Sequence, residues 1–563
     1  MLKRILTSLC VFGLTLIVLN VQMSGATGVV VKTEYGRVKG FIDEETHTFT
    51  WLGIPYAKPP IGELRWKPPQ DPDPWSGILK TENFGNACAQ VGGLYGPPAP
   101  GEPFGLSILD YLNLPSGSED CLTLNIWRPI PWKKKEPLPV ILFIHGGSNK
   151  QSYAADPMWH GANLARKARA VVVTVNYRLG VFGWFAHPAL KTGDPLNDSA
   201  NFGLLDLIQA LRFVKKNIAN FGGDPHNVTI MGQSAGGLNV YSLMVSSLTV
   251  DLFDKAVLLS GPGLNGTPLA VGESYANLVL RQLLIDGGFP EYEADNWIKS
   301  HTGDEIADYL RGKSTEEILM ALVHGNLTSP PHTFADGTVI PFDSNGEVDK
   351  GNFRNVPVMI GATLDEGKLF VPFLYKISDA ERFRLMYEFD ADNPSNLKPE
   401  DILNCSVEYF EYFTRNATPP FIGTQWFTDR IDETAARLRK WQDKLYAYRF
   451  EWKTQPEPWR TIYGAVHVLD MPFMFGNFQK QLFSCMFGKF NETGRIALSD
   501  AMIASLAAFI RTGDPNNRKL RKLGIFWEPW SNEIGGPKKL IFDADEKHPK
   551  LKMVYTTELP PLP

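Results

Sequence analysis

Neither Cys-x-x-Cys nor His-Glu-x-x-His occurs anywhere in the chain. Without those spacings neither a structural nor a catalytic zinc site is indicated, and no metal is expected. Basic excess is also missing: the formal charge is -5. The one basic run, Lys133-Lys134-Lys135, sits before an apolar strand and reads as a solvated turn, so nucleic-acid binding has no support. Internal repeats and low-complexity tracts do not stand out, which leaves solenoids and linkers unsupported. Long hydrophobic runs are confined to the N-terminus, where Lys3 and Arg4 precede a mostly apolar stretch from Ile5 to Val21 and then Ser24-Gly25-Ala26. Residues 1–26 are therefore expected to be a secretory signal cleaved after Ala26. No later stretch reads as apolar enough to span a bilayer, so a secreted or periplasmic protein with no stable membrane span is expected. Cysteine is scarce, at five in 563 residues. With Cys10 removed in the signal, Cys88, Cys121, Cys405 and Cys485 remain, an even number that permits two disulfides in an exported chain.

What is present is a succession of short apolar runs separated by helical patterns. Residues 29–40 alternate as an opening hairpin would. Leu138 to Ile144 and Ala170 to Asn176 are almost wholly apolar, as parallel strands covered on both faces are. Leu204, Leu205, Leu207, Ile208, Leu211, Phe213, Val214 and Ile218 recur at near-helical spacing. Further buried strands are expected at 256–259, 356–360 and 445–450. Strands alternating with helices predict an α/β fold with a large, mostly parallel central sheet flanked by helices. From about 265 to 440 the pattern is longer and more helical, and reads as helical insertions over the end of the sheet that shape a substrate pocket.

One stretch organises the rest. Val228-Thr229-Ile230-Met231 runs into Gly232-Gln233-Ser234-Ala235-Gly236, and Leu238 to Val245 can continue as a helix. Strand, tight Gly-x-Ser-x-Gly turn and helix form a nucleophile elbow, with Ser234 as the nucleophile. A serine hydroxyl needs a histidine to take its proton and a carboxylate to hold that histidine, and elbow-type hydrolases carry them in the order Ser, acid, His. Glu366, just after a buried strand, is the acid, with Asp365 as the competing choice. Two histidines follow it, His467 and His548. His548 sits in a charged turn, whereas His467 follows a strand among small residues, so His467 is the base. His145-Gly146-Gly147-Ser148 follows the strand ending at Ile144. The backbone N–H groups of Gly147, Ser148 and Ala235 are the expected oxyanion donors.

Together the segments LGIPYAKPPIGELRW (52–66), SEDCLTLNIW (118–127), HGGS (145–148), VNYRLGVFGW (175–184), VTIMGQSAGG (228–237), DEG (365–367) and GAVHVLD (464–470) resemble the type-B carboxylesterase and cholinesterase group of the α/β-hydrolase superfamily. The resemblance implies a single catalytic domain over 27–563 and the triad Ser234, Glu366 and His467. It also implies a Cys88 to Cys121 disulfide and buried ion pairs Arg65 with Glu119 and Arg178 with Asp206. The implied activity is hydrolysis of small-molecule carboxylic esters through an acyl-enzyme, which requires no cofactor. A non-catalytic esterase-like adhesion protein is the alternative, and among enzymes a lipase or a hydrolase of a specialised ester. Three departures narrow the choice. Gln233 replaces the usual Glu before the nucleophile, Asn149 is expected to make the pocket wall more polar, and no Trp lies between Cys88 and Cys121. The first and last weigh against a choline ester, because that loop lacks the indole that would hold a quaternary ammonium.

Overall fold

The computed structural model describes residues 29–132 and 136–562. The signal read over 1–26 and the Lys133 to Lys135 run lie outside the described residues. In chain order the strands of the main sheet are β1 (Phe41–Asp43), β2 (Thr48–Pro55), β3 (Thr123–Pro129), β4 (Leu138–Ile144), β5 (Val171–Val175), β6 (Gly223–Gln233), β7 (Lys255–Leu259), β8 (Val358–Thr363), β9 (Leu445–Phe450), β10 (Lys539–Ala544) and β11 (Pro549–Val554). They lie side by side in the order β1-β2-β3-β5-β4-β6-β7-β8-β9-β10-β11. From β5 to β10 all neighbours run parallel. Both margins are antiparallel, with β1, β2 and β3 on one side and β11 on the other. Every residue of β4, β5, β7, β8 and β9 is buried, which is why these runs show no polar alternation. The opening hairpin forms, Val30–Lys32 against Arg37–Lys39, but joins a separate three-stranded sheet with Ile78–Lys80.

Parallel neighbours need crossovers, and helices supply them. Helix α1 (Phe202–Asn217) precedes β6 and is buried on nearly every side, while α2 (Ala235–Val245) leaves the elbow directly. Within the 265 to 440 stretch one helix departs from the expected cover over the end of the sheet. β8 runs through the middle of the stretch, as the apolar 356–360 run requires, and the last helix there, α3 (Thr424–Arg439), packs on β8 and β9 through a face that includes Ile431, Ala435 and Leu438. That helix is a crossover element of the sheet layer, because β8 and β9 are parallel neighbours. A second correction concerns helix α4 (Glu492–Thr512). The segment Lys489–Thr512 is long and apolar enough by length and composition to cross a membrane, although no stretch after the N-terminal run was expected to qualify. It lies against β4, β6, β10 and β11 with Leu498, Met502, Leu506, Phe509 and Ile510 buried. Its apolarity is that of a helix covered on most faces by its own protein.

Cys88 and Cys121 are disulfide-bonded, and Cys405 and Cys485 are unpaired among the described residues. Both implied ion pairs form as two-pronged forks. Arg65 donates from Nε and Nη2 to Glu119 at 2.8 and 2.5 Å, and Arg178 does the same to Asp206 at 2.8 and 2.7 Å. All four side chains are buried, so each charge depends on its partner. Thr315 Oγ1 also donates to Glu119 at 2.6 Å, which ties the disulfide-closed loop to the helix Thr315–His324.

Candidate active site

Ser234 stands between β6 and α2 with φ 57° and ψ -124°, a strained conformation for a residue with a side chain. The turn is possible because of its flanking glycines. A Cβ on Gly232 would stand 2.1 Å from the carbonyl oxygen of Gly236, and one on Gly236 would stand 2.1 Å from that of Ile144. Ser234 N–H donates to Leu259 O at 2.8 Å, which fixes the elbow to the neighbouring strand.

Glu366 follows β8 and is fully buried. Its Oε1 accepts from Ser260 Oγ at 2.6 Å and from the Thr363 N–H at 2.7 Å, and its Oε2 faces His467 Nδ1 in a short hydrogen bond. His467 is buried between the rings of Phe370 and Phe427, with centroids 5.0 and 5.3 Å away. This arrangement places the proton on Nδ1 and leaves Nε2 as an acceptor. The partner at Nε2 is the Gln233 amide nitrogen, 3.2 Å away. Among the described residues no hydrogen bond joins Ser234 Oγ to His467, so Glu366 and His467 are brought together while Ser234 is not bonded to either. His548 is exposed on a turn, remote from these groups in its contacts.

Asp365, the competing acid, points elsewhere. Its carboxylate accepts the Ala465 N–H at 2.8 Å and pairs with Lys453 at 2.8 Å and Lys368 at 3.6 Å. It therefore holds the segment that carries His467 without touching the imidazole. Asp470 was not recognised in the sequence. It is fully buried, accepts from Tyr448 Oη at 2.6 Å, and burial pushes its carboxyl up to about 6.

The loop after β4 has three successive residues at positive φ, Gly147 at 88°, Ser148 at 56° and Asn149 at 54°. The N–H groups of Gly147 and Ser148 donate to no group among the described residues. Ala235, the first residue of α2, likewise has a free N–H, as helix starts do. The expectation that Asn149 lines the pocket is overturned. Asn149 is buried and exchanges amide hydrogen bonds with Asn239 at 2.8 and 3.2 Å, and it accepts from Tyr177 Oη at 3.1 Å. The left-handed turn directs Asn149 inward and brings Lys150 to the cavity wall instead. That cavity, of about 220 Å³, is lined by Ser234, Ser148 and Ala235 and by the rings of Phe370, Phe421 and Phe427.

Further along the same loop Asp156 accepts the Met158 N–H at 2.8 Å and caps the short turn Pro157–Trp159. Burial pushes its carboxyl up to about 7 from an ordinary 3.8. The folded state thus holds this proton more tightly than the unfolded chain does. The stability it contributes is complete below the ordinary value and is lost as pH rises through about 7. Asp156→Asn keeps an acceptor for Met158 and removes the charge. Urea unfolding is expected to show the variant more stable than the unchanged protein by on the order of 2–4 kcal/mol near pH 8, the gap closing toward pH 4. A gap that does not change with pH would mean that Asp156 is ionised throughout.

A parallel sheet with a strained serine at a strand-to-helix turn, and a buried Glu–His pair beyond the ends of later strands, defines the class: this is an α/β-hydrolase. The chain belongs to the carboxylesterase family, whose model matches residues 27–548. It is 32% identical to the para-nitrobenzyl esterase of Bacillus subtilis (strain 168) over 525 residues, 92% of this chain and 96% of that protein. It is 30% identical to human cocaine esterase, covering 91% of this chain and 89% of that one. Among solved structures, a Geobacillus stearothermophilus carboxylesterase superposes with a TM-score of 0.69 at 29% identity, over 93% of this chain and 98% of that one. The protein is a carboxylic-ester hydrolase of this family.

Proposed function

We propose that this is an exported serine carboxylesterase that cleaves small-molecule esters through an acyl-enzyme, with Ser234, His467 and Glu366 as its triad. The observation that carries the reading is the buried Glu366–His467 hydrogen bond beside a strained, unbonded Ser234 at a cavity wall. Ser234 Oγ attacks the ester carbonyl as His467 Nε2 takes its proton. The carbonyl oxygen becomes an oxyanion held by the N–H groups of Gly147, Ser148 and Ala235, each of which lacks a competing acceptor. His467 then returns the proton to the departing alcohol, and water repeats the sequence on the acyl-enzyme. Glu366 stabilises the imidazolium throughout. For the first step Ser234 must displace the Gln233 amide from His467 Nε2, a rearrangement of the kind that catalytic hydrogen bonds commonly undergo on substrate binding. Export is supported by the signal-like N-terminus and by the Cys88–Cys121 bond, since such bonds persist in oxidising compartments.

The test is hydrolysis of p-nitrophenyl esters from acetate to decanoate, with an organophosphate in parallel. Turnover is expected on short acyl chains, falling by decanoate because the cavity at Ser234 holds only about 220 Å³, and the organophosphate is expected on Ser234. A folded protein that neither turns over these esters nor takes the label would favour a non-catalytic binding role.

A further inference from the structure

The cavity at Ser234 does not stand alone. A second cavity of about 310 Å³ shares Lys150 and Pro330 with it and extends to Asp379 and Arg382. The charges along this path do not cancel. Asp379 is answered by Arg382, whose Nη2 lies 2.7 Å from it. Arg382 itself is 7% exposed and rests over the ring of Tyr375 at 4.3 Å, with Nε and Nη1 making no hydrogen bond among the described residues. Lys150 has no such answer. Its ammonium donates to Ser329 Oγ at 3.0 Å and meets no carboxylate among the described residues, and partial burial holds it below the usual lysine range. The other titratable group lining the Ser234 cavity is His332, which burial, and then Lys150 itself, hold down at about 4, so it brings no charge at neutral pH.

A partly desolvated cation between two cavities, two residues beyond a proposed oxyanion donor, is an unfilled ion pair. We infer that Lys150 receives a carboxylate carried by the substrate, so that the ester cleaved is an anionic one, of the kind made by esterifying one end of a short dicarboxylic acid. This rests on the proposed esterase reading and names its substrate class. Hydrolysis of such a half-ester consumes one water and releases the diacid and the alcohol. The carboxylate at Lys150 makes and breaks no covalent bond. A cationic ester would meet repulsion at the same place.

Binding is measured without turnover by titrating the Ser234→Ala variant with monomethyl glutarate and with methyl pentanoate, which differ at the far end of the acyl chain. The half-ester is expected to bind more tightly by about tenfold or more, the range of one charge-assisted hydrogen bond. Adding Lys150→Met is expected to abolish that preference, and Lys150→Arg to retain most of it. Should Lys150→Met fold poorly, added salt is expected to weaken the half-ester alone. Equal binding of the two esters, or a preference indifferent to Lys150→Met and to salt, would overturn the inference. Failure of the esterase reading is distinct, since it appears as absent p-nitrophenyl ester turnover in the protein with Ser234 intact.

Discussion

Ser234→Ala is expected to lower turnover of a short p-nitrophenyl ester by on the order of 10⁶-fold, the scale reached when such a nucleophile is removed. The loss should be almost purely chemical. Alanine keeps the Cβ that the elbow already accommodates at φ 57°, and among the described residues Ser234 Oγ makes no hydrogen bond whose loss would orphan a buried group. Thermal unfolding of the variant is therefore expected to match that of the unchanged protein. The serines nearby cannot substitute. Ser260 Oγ is committed to Glu366 at 2.6 Å, and Ser148 belongs to the loop that supplies N–H groups. The residual rate should be that of oxyanion stabilisation and binding alone. A variant that retains more than about one part in a hundred of the activity would place the nucleophile elsewhere, since even a single lost oxyanion donor costs more than that.

Much of this site is legible in the chain before any coordinates. The elbow announces itself because a strained turn between strand and helix tolerates few residues. Glu366 and His467, as proposed acid and base, are pointed to by chain order and by the two histidines left after Glu366, and the structure joins them by a hydrogen bond. The unmarked parts depend on backbone direction. Asn149 and Lys150 read as consecutive polar residues, and only the run of positive φ over Gly147, Ser148 and Asn149 decides that the first turns inward to Asn239 and the second faces the cavity. Gln233 is visible as a substitution, but its contact with His467 Nε2 joins the end of β6 to a loop more than two hundred residues later. Helix α4 misleads in the opposite sense. Its composition suits a bilayer, and only the strands packed against it show what it is buried in.

The choice between Glu366 and Asp365 has the sharpest consequence. Glu366→Gln is expected to lower kcat by on the order of 10⁴-fold, as neutralising the acid of such a triad does. Geometry explains why an isosteric amide fails. The carboxylate accepts at both ends, from Ser260 Oγ and the Thr363 N–H at one oxygen and from His467 at the other. A glutamine whose oxygen faces His467 sets its NH₂ against the Thr363 N–H, donor against donor. Turned around, it donates to Nδ1, forces the imidazole proton onto Nε2, and removes the acceptor that Ser234 needs. Asp365→Asn acts differently. Burial pushes the Asp365 carboxyl up, yet Lys368 and Lys453 outweigh burial and hold it below the usual range. Asparagine can still accept the Ala465 N–H, but it leaves Lys453 without this partner and Lys368 with Glu411, at 2.6 Å, as its one remaining carboxylate among the described residues, beside the Thr461 carbonyl at 3.0 Å. The expected result is a loss of about 1–3 kcal/mol in stability with kcat reduced by less than about tenfold. Steady-state kinetics and urea unfolding on the two variants separate the roles. If Asp365→Asn were the one to lose kcat by several orders while Glu366→Gln remained active, the assignment of Glu366 as the acid would be wrong, and the buried Glu366–His467 contact would be a packing feature of the fold.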